Sequence, residues 1–256
     1  MGQVSEERRQ RIVTIVRDDG EVTVSRLADD LGVAAETIRR DLQELEDRRL
    51  IKRTHGGALP LESGSYESTL DYRSVTRVPE KRRIASAAVE SLGGAQTVFL
   101  DEGYTPLLIA EELTLLHDHL TIVTASLANA MALASSPQHT TLLLGGRVRD
   151  RTLATVDHFA TDMLSVLNID VAILGANGIT PDKGLGTPDP AVAAVKGMAV
   201  KRSTRRIFVG IATKFGVTSF CKFADVRDLE LIITEEALPQ REAQRFAALG
   251  PRVLRV

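Results

Sequence analysis

Apolar residues recur at helical spacing in three short stretches near the start of the chain, and in dense, strand-like runs further on. In SEERRQRIVTIVRDDG, Ile12, Val13 and Val16 share one helical face, Ser5 is a candidate N-cap and Gly20 a stop signal. Val24, Leu27, Ala28 and Leu31 form the stripe of a second helix. Gly32 supplies the permissive backbone of a sharp turn, and Val33 tucks beneath it. A third helix is predicted from about Ala35 to about Arg49, with Ile38, Leu42 and Leu45 inward. Leu50 to His55 suit a short strand, with Gly56 and Gly57 at its turn.

Two short helices joined by a tight turn and followed by a basic hairpin have the layout of a winged helix-turn-helix. Removing the buried stripe of the third helix leaves Glu36, Thr37, Arg39, Arg40 and Gln43 to reach base edges in a major groove about 12 Å wide. Lys52, Arg53 and His55 are placed for phosphates. Residues 1–57 hold 11 Lys and Arg against 12 Asp and Glu. DNA binding therefore requires segregated charge, with Asp29, Asp30, Glu44 and Glu46 turned from the duplex.

Residues 58–79 are polar and aperiodic and read as a linker continuing into an arm along the second domain. From residue 80 helices and near-continuous apolar strands alternate. Helices are predicted at 80–92, 106–116, 126–136, 157–167, 189–203 and 240–250. Strands are predicted at 97–101, 120–125, 140–146, 170–176, 205–212 and 229–235, with a short final one in RVLRV. This is the pattern of an α/β fold with a mostly parallel sheet covered on both faces. The domains are thus 1–57, an arm at 58–79, and 80–256.

Strands of this second domain exit into small or hydroxyl residues. The exits hold Asp101, Gly103, Tyr104 and Thr105, then Thr124 and Ser126, Gly145 and Gly146, Asn177 and Gly178, and the segment ending at Lys214. In open parallel sheets ligands sit beyond the carboxyl ends of the strands. With Lys196 and Lys214 for positive charge and helix N-termini for amides, these exits favour a phosphorylated or carboxylated small molecule.

The 256 residues carry a net charge of −2, which excludes a generally sticky polycation but neither DNA binding nor an anionic ligand. The lone Cys221 forms no internal disulfide and reads as a small packed side chain. No apolar run approaches a membrane span, and the charged opening MGQVSEERRQ is not a signal peptide, so the expectation is a cytoplasmic protein with no membrane partner. His117, Asp118 and His119 suit an exposed turn better than a metal. His139 and His158 read as surface residues. No metal and no cofactor is expected, and no P-loop spacing occurs.

LADDLGV, ETIRRDLQELE and RTHGGA together resemble the DeoR family of bacterial transcriptional regulators. The resemblance continues through PEKRRIASAAVESL, TVFLDEGYT, TAS, LGGRV, LGANGI and the Gly184 to Lys196 segment, and so covers nearly the whole chain. It implies that Thr37, Arg39, Arg40 and Asp41 belong to the recognition helix. It further implies that the second domain is an isomerase-like sensor of phosphorylated sugars or polyols. Ala35 stands where the family usually has Ser, which implies a missing side-chain cap. Tyr104 replaces a small hydroxyl residue, Ala125 an Asn, and Val192 and Ile211 stand where acidic residues are common. An aliphatic group in place of a carboxylate cannot bind a sugar hydroxyl or act as an acid, so the expected role is sensing and not catalysis. Asp101 is then expected to bind a ligand hydroxyl or cap the next helix. The expectation is a regulator, a repressor of a carbohydrate operon, acting as a homodimer or homotetramer on duplex DNA under a small phosphorylated effector. The alternative is a sugar-phosphate isomerase-like enzyme fused to a DNA-binding module.

Overall fold

The computed structural model describes residues 2–48, 50–60 and 67–256. Tertiary contacts divide the chain into two units, residues 1–62 and 63–256.

The first unit contains α1 (Gly2–Asp19), β1 (Val22–Thr23), α2 (Val24–Leu31), α3 (Ala35–Asp47), β2 (Ile51–Arg53) and β3 (Gly57–Pro60). Ile12 and Val16 of α1, Leu27 of α2, Ile38, Leu42 and Leu45 of α3, and Ile51 of β2 close one core. This is the stripe that the spacing predicts. Thr23 caps α2 by accepting from Arg26 N, and Gly32 ends it in the left-handed region at φ 64°. Ser5 lies inside α1 and not at its start, so its predicted capping role is corrected. The three strands pair antiparallel in the order β1, β3, β2. β3 draws on Ala58 to Pro60, which sequence alone gave to the linker, because Ala58 and Pro60 bury their side chains while the strand pairs with β2. Gly57 faces Thr23 across the β1–β3 pair, and a Cβ on it would lie 1.9 Å from the Val22 carbonyl oxygen. Gly57→Ala is therefore expected to destabilise this unit by about 1–3 kcal/mol, the range for forced overpacking, as a lower urea midpoint for its transition.

The second unit runs α4 (Leu70–Val75), α5 (Val78–Glu90), β4 (Thr97–Leu100), α6 (Tyr104–Leu113), β5 (Thr121–Thr124), α7 (Leu127–Leu133), β6 (Thr140–Leu143), β7 (Arg147–Val148), β8 (Thr155–Val156), α8 (His158–Ser165), β9 (Ile169–Leu174), β10 (Gly178–Thr180), β11 (Gly184–Thr187), α9 (Pro190–Arg202), β12 (Ser203–Val209), β13 (Cys221–Ala224), β14 (Leu231–Thr234), α10 (Gln240–Ala247) and β15 (Arg252–Arg255). Seven strands form one sheet in the order β15, β14, β12, β9, β4, β5, β6, with every neighbouring pair parallel. Alternation along β4 divides the core between the two faces. Val98 and Leu100 pack with Ile84 of α5 and Leu108 of α6, while Phe99 packs with Leu164 of α8, Val195 of α9 and Phe246 of α10.

Two antiparallel excursions interrupt the alternation and escaped the sequence reading. β7 pairs with β8, and β10, β11 and β13 form a small sheet. Their strands are two to four residues long, too short for periodicity to register. His139 is buried and not on the surface. Its Nδ1 accepts from Leu120 N at 3.3 Å and its Nε2 lies 2.7 Å from the Leu113 carbonyl. Cys221 is a half-buried free thiol on β13. Among the described residues no helix is long and apolar enough to cross a membrane, and no three His, Cys, Asp or Glu are grouped to hold a metal ion.

Candidate functional sites

The N-cap of α3 is Ala34, which has an extended backbone and no side-chain cap, and Ala35 is already in the helix. The missing cap is thus one residue earlier than the family comparison implied. Glu36, Arg39, Arg40 and Gln43 are exposed and Thr37 is half-buried. Glu36 holds both arginines, with Arg39 Nη1 at 3.2 Å and Arg40 Nε at 3.8 Å. Pairs this exposed are worth little and exchange readily for another acceptor. Gln43 accepts from the Arg53 guanidinium and donates to Asp47 at 3.0 Å, which links α3 to the hairpin. Lys52 and His55 are exposed on that hairpin, and Arg53 is half-buried. Ser25, Ala35, Arg39, Arg53, His55 and Gly56 line a hollow of about 290 Å³ between helix and hairpin. The acidic residues have other partners. Glu44 pairs with Arg9 at 2.8 Å, and Glu46 accepts from Arg53 N at 2.9 Å.

Asp41 shares α3 with these residues but points the other way. It is 4% exposed and accepts from Arg8 Nε at 2.6 Å and Arg9 Nε at 3.2 Å, both on α1. Its position opposite the exposed face makes it a clamp between α1 and α3.

In the second unit chain order reverses between β4 and β9, since β5 and β6 extend one way from β4 and β12, β14 and β15 the other from β9. The crevice at that reversal, beyond the carboxyl ends of the two strands, is where open α/β sheets bind ligands. Asp101 follows β4 and bridges it: its N donates to the Ile173 carbonyl at 3.1 Å, and its Oδ2 accepts from Gly175 N at 2.7 Å. Lys196, carried in by α9, bonds the same Oδ2, with the Glu102 carboxylate at 3.7 Å and the Gly175 carbonyl at 3.3 Å. All three charged side chains are buried. Burial pushes the Lys196 ammonium down, but Asp101 and Glu102 overrule it and hold it above the ordinary lysine value. Burial pushes the Glu102 carboxyl up, and Glu67 and Asp101 add to that against Lys196, so it stays above the usual carboxylate range. Asp101 does not cap α6; that position is Gly103, at φ 116° and with no side-chain cap.

Several predicted residues converge here. Asn129, an unpredicted residue, donates from Nδ2 to the Asp101 carbonyl at 2.7 Å and to Thr124 Oγ1 at 3.2 Å, and Ser126 caps the helix that carries it. Tyr104 and Thr105 open α6, with Lys81 Nζ 5.4 Å from the centre of the Tyr104 ring. Other predicted residues have packing reasons of their own. A Cβ on Gly146 would lie 2.2 Å from the Val156 carbonyl oxygen, and one on Gly178 would lie 2.2 Å from that of Val217. Gly145 leads into the same β7–β8 hairpin as Gly146, and Asn177 donates its backbone N to Gly186 O at 2.9 Å. Lys214 ends the 3₁₀ turn after β12, where Ala212 N donates to Glu235 at 2.8 Å. Val192 and Ile211 are both buried.

The reading of the sequence missed a second group of charges beside the first. Glu67 is 5% exposed; its Oε2 accepts from Arg149 Nη2 at 2.6 Å and its Oε1 from Arg73 Nη2 at 3.4 Å. Arg149 Nε also meets Asp189 Oδ2 at 3.2 Å, and Asp189 caps α9. Burial pushes the Glu67 carboxyl up, yet Arg73 and Arg149 hold it below the usual range. Asp189 carried a signal, an Asp before Pro190 at a helix start. Glu67 and Arg73 had none, lying in a segment with no periodicity.

A family model described as the DeoR-like helix-turn-helix domain matches residues 8–63, and one described as the DeoR C terminal sensor domain matches residues 76–236. The HTH-type transcriptional regulator GlpR of Haloferax volcanii is 35% identical, over 97% of this chain and 96% of its own. The glycerol-3-phosphate regulon repressor of Escherichia coli is 32% identical, over 91% of this chain and 92% of its own. Among solved structures, a D-ribose-5-phosphate isomerase bound to phospho-erythronic acid is similar at a TM-score of 0.39 and 18% identity, over 53% of this chain and 52% of that one. That likeness is too distant to carry an argument.

Proposed function

We propose, for a chain that belongs to the DeoR family of transcriptional regulators, that α3 reads an operator and that a small phosphorylated effector at the β4–β9 crevice controls its grip. The observation that carries the reading is the pair of exposed arginines, Arg39 and Arg40, on a helix whose opposite face is clamped into its own small core. Arg39, Arg40, Thr37 and Gln43 read base edges once DNA replaces Glu36 and Arg53 as their partners. Lys52, Arg53 and His55 hold the backbone. One such helix covers few bases, so two copies of the chain act together on a repeated or inverted site. The relative from Escherichia coli is named a glycerol-3-phosphate regulon repressor, which supports repression and a phosphorylated polyol or sugar as effector. The pocket senses and does not turn over: its central carboxylate and ammonium neutralise each other, and Val192 and Ile211 contribute no acid. A regulator of this kind works in the cytoplasm, where its operator is.

Footprinting upstream of the chain's own gene tests the proposal, with and without a panel of sugar and polyol phosphates. Arg39→Ala is expected to cost about 1–3 kcal/mol on the operator and to relax its sequence preference. Lys52→Ala is expected to weaken specific and random DNA alike and to flatten the salt dependence by about one unit of slope. Equal loss on both DNAs for the Arg39 variant would reject base reading.

A further inference from the structure

We propose that Arg73 and Arg149 form the anion subsite of the sensor pocket, and that the Glu67 carboxylate is its built-in occupant, expelled when a phosphate monoester enters. This rests on the reading of the second unit as an effector-binding sensor.

The geometry is that of a bound anion. Arg149 approaches one Glu67 oxygen at 2.6 Å and Arg73 the other at 3.4 Å. Arg73 also lies at the start of α6: its Nη1 is 3.6 Å from where a Cβ on Gly103 would sit. The ten-residue α6 has no side-chain cap there, which leaves the amides of Tyr104 and Thr105 at its start without one; Pro106 carries no N–H. Two guanidiniums and an open helix start are three devices that recognise phosphate. Glu102 beside them marks room for a donor, which a hydroxyl of the monoester supplies. It is 6% exposed, belongs to the same charge cluster, and among the described residues its Oε2 has no hydrogen-bond partner.

Glu67 brings one negative charge on a side chain that the sheet does not need. A phosphate monoester brings close to two charges and three acceptor oxygens, so it satisfies both arginines and the helix start together. Its entry has a mechanical result. Residues 67–75 meet the rest of the sensor through bonds that include Leu70 N to the Arg151 carbonyl at 3.0 Å, Arg151 Nη1 to the Glu67 carbonyl at 3.3 Å, and Lys81 Nζ to the Arg73 carbonyl at 2.7 Å. Glu67 is the first described residue after the segment that joins the two units. Expelling its side chain loosens the strap where it meets that segment. A ligand shifts an equilibrium only through differential affinity, and competition with Glu67 supplies it.

The test uses the full chain and inorganic phosphate as the probe. Glu67→Gln keeps the shape and removes the charge, and is expected to bind phosphate at least tenfold more tightly than the parent by calorimetry. Adding Arg149→Met to that variant should erase the gain. In the parent chain, saturating phosphate should speed hydrogen exchange at residues 67–75 and slow it at the start of α6. Unchanged or weaker binding by Glu67→Gln, a gain that survives Arg149→Met, or binding that leaves exchange at 67–75 untouched would each overturn the inference, as would no binding to any variant at tens of millimolar phosphate. None of these readings needs DNA, so failure to hold an operator would count against the proposed function and leave this result standing.

Discussion

Lys196→Met is expected to lower the melting temperature of the sensor unit by about 6–20 °C. Removing one partner of a buried pair typically costs about 3–5 kcal/mol, and a unit of this size shifts by about 2–4 °C per kcal/mol. Lys196 is buried with Asp101 and Glu102, and methionine matches its stem while leaving two carboxylates in a dry crevice. The pH dependence gives the effect a signature. In the parent, the raised pKa of Lys196 means that its contribution is complete below the ordinary lysine value and is lost as pH rises through the folded one. In the variant the exposed cost is that of unpaired carboxylates, which acid relieves by protonating them. The deficit should therefore shrink between pH 8 and pH 5 when calorimetric scans of the two proteins are compared. A deficit below 2 °C that ignores pH would mean that Lys196 does not hold those charges.

Asp41→Ala is expected to cost about 3–4 kcal/mol and to lower operator affinity together with stability. The lower part of the range for buried pairs applies, because Arg8 and Arg9 keep 18% and 15% of their side-chain surface in water. What is lost is the clamp that sets α3 against α1, so affinity falls although no DNA-facing group has changed. Asp29→Ala, at an exposed position on α2, is the control and should leave both quantities within about 0.5 kcal/mol. Full stability in Asp41→Ala with weakened DNA binding would instead place Asp41 at the interface.

The contrast between Asp41 and its neighbours shows what the chain discloses before folding. Ile38, Leu42 and Leu45 announce a helix and its buried stripe, and subtraction then exposes Arg39, Arg40 and Gln43 correctly. The same subtraction does not reveal Asp41, because a polar residue buried against two arginines 32 and 33 positions away looks local until the tertiary pair forms. The parallel sheet was legible because its strands are apolar on both sides. The excursions at Arg147–Val156 and Gly178–Ala224 were not, since their glycines signal only a turn until the opposing carbonyl is known. Asp101 and Lys196 were legible as strand-exit and helix residues, although 95 positions separate them. Glu67 and Arg149 were hidden because each satisfies a charge 82 positions away, and Arg73 because it pairs with Glu67 inside a segment that has no periodicity.

The unadorned start of α3 has a consequence of its own. Ala34 offers no side-chain oxygen to the leading amides of the helix; its carbonyl accepts from Thr37 N at 2.9 Å, and no side chain caps the amides of Ala35 and Glu36 ahead of it. On the proposed docking of α3, a phosphodiester of the duplex is the group that would complete the first turn. Local ordering and docking merge into one event, and the heat and entropy of operator recognition carry within them a small piece of protein folding.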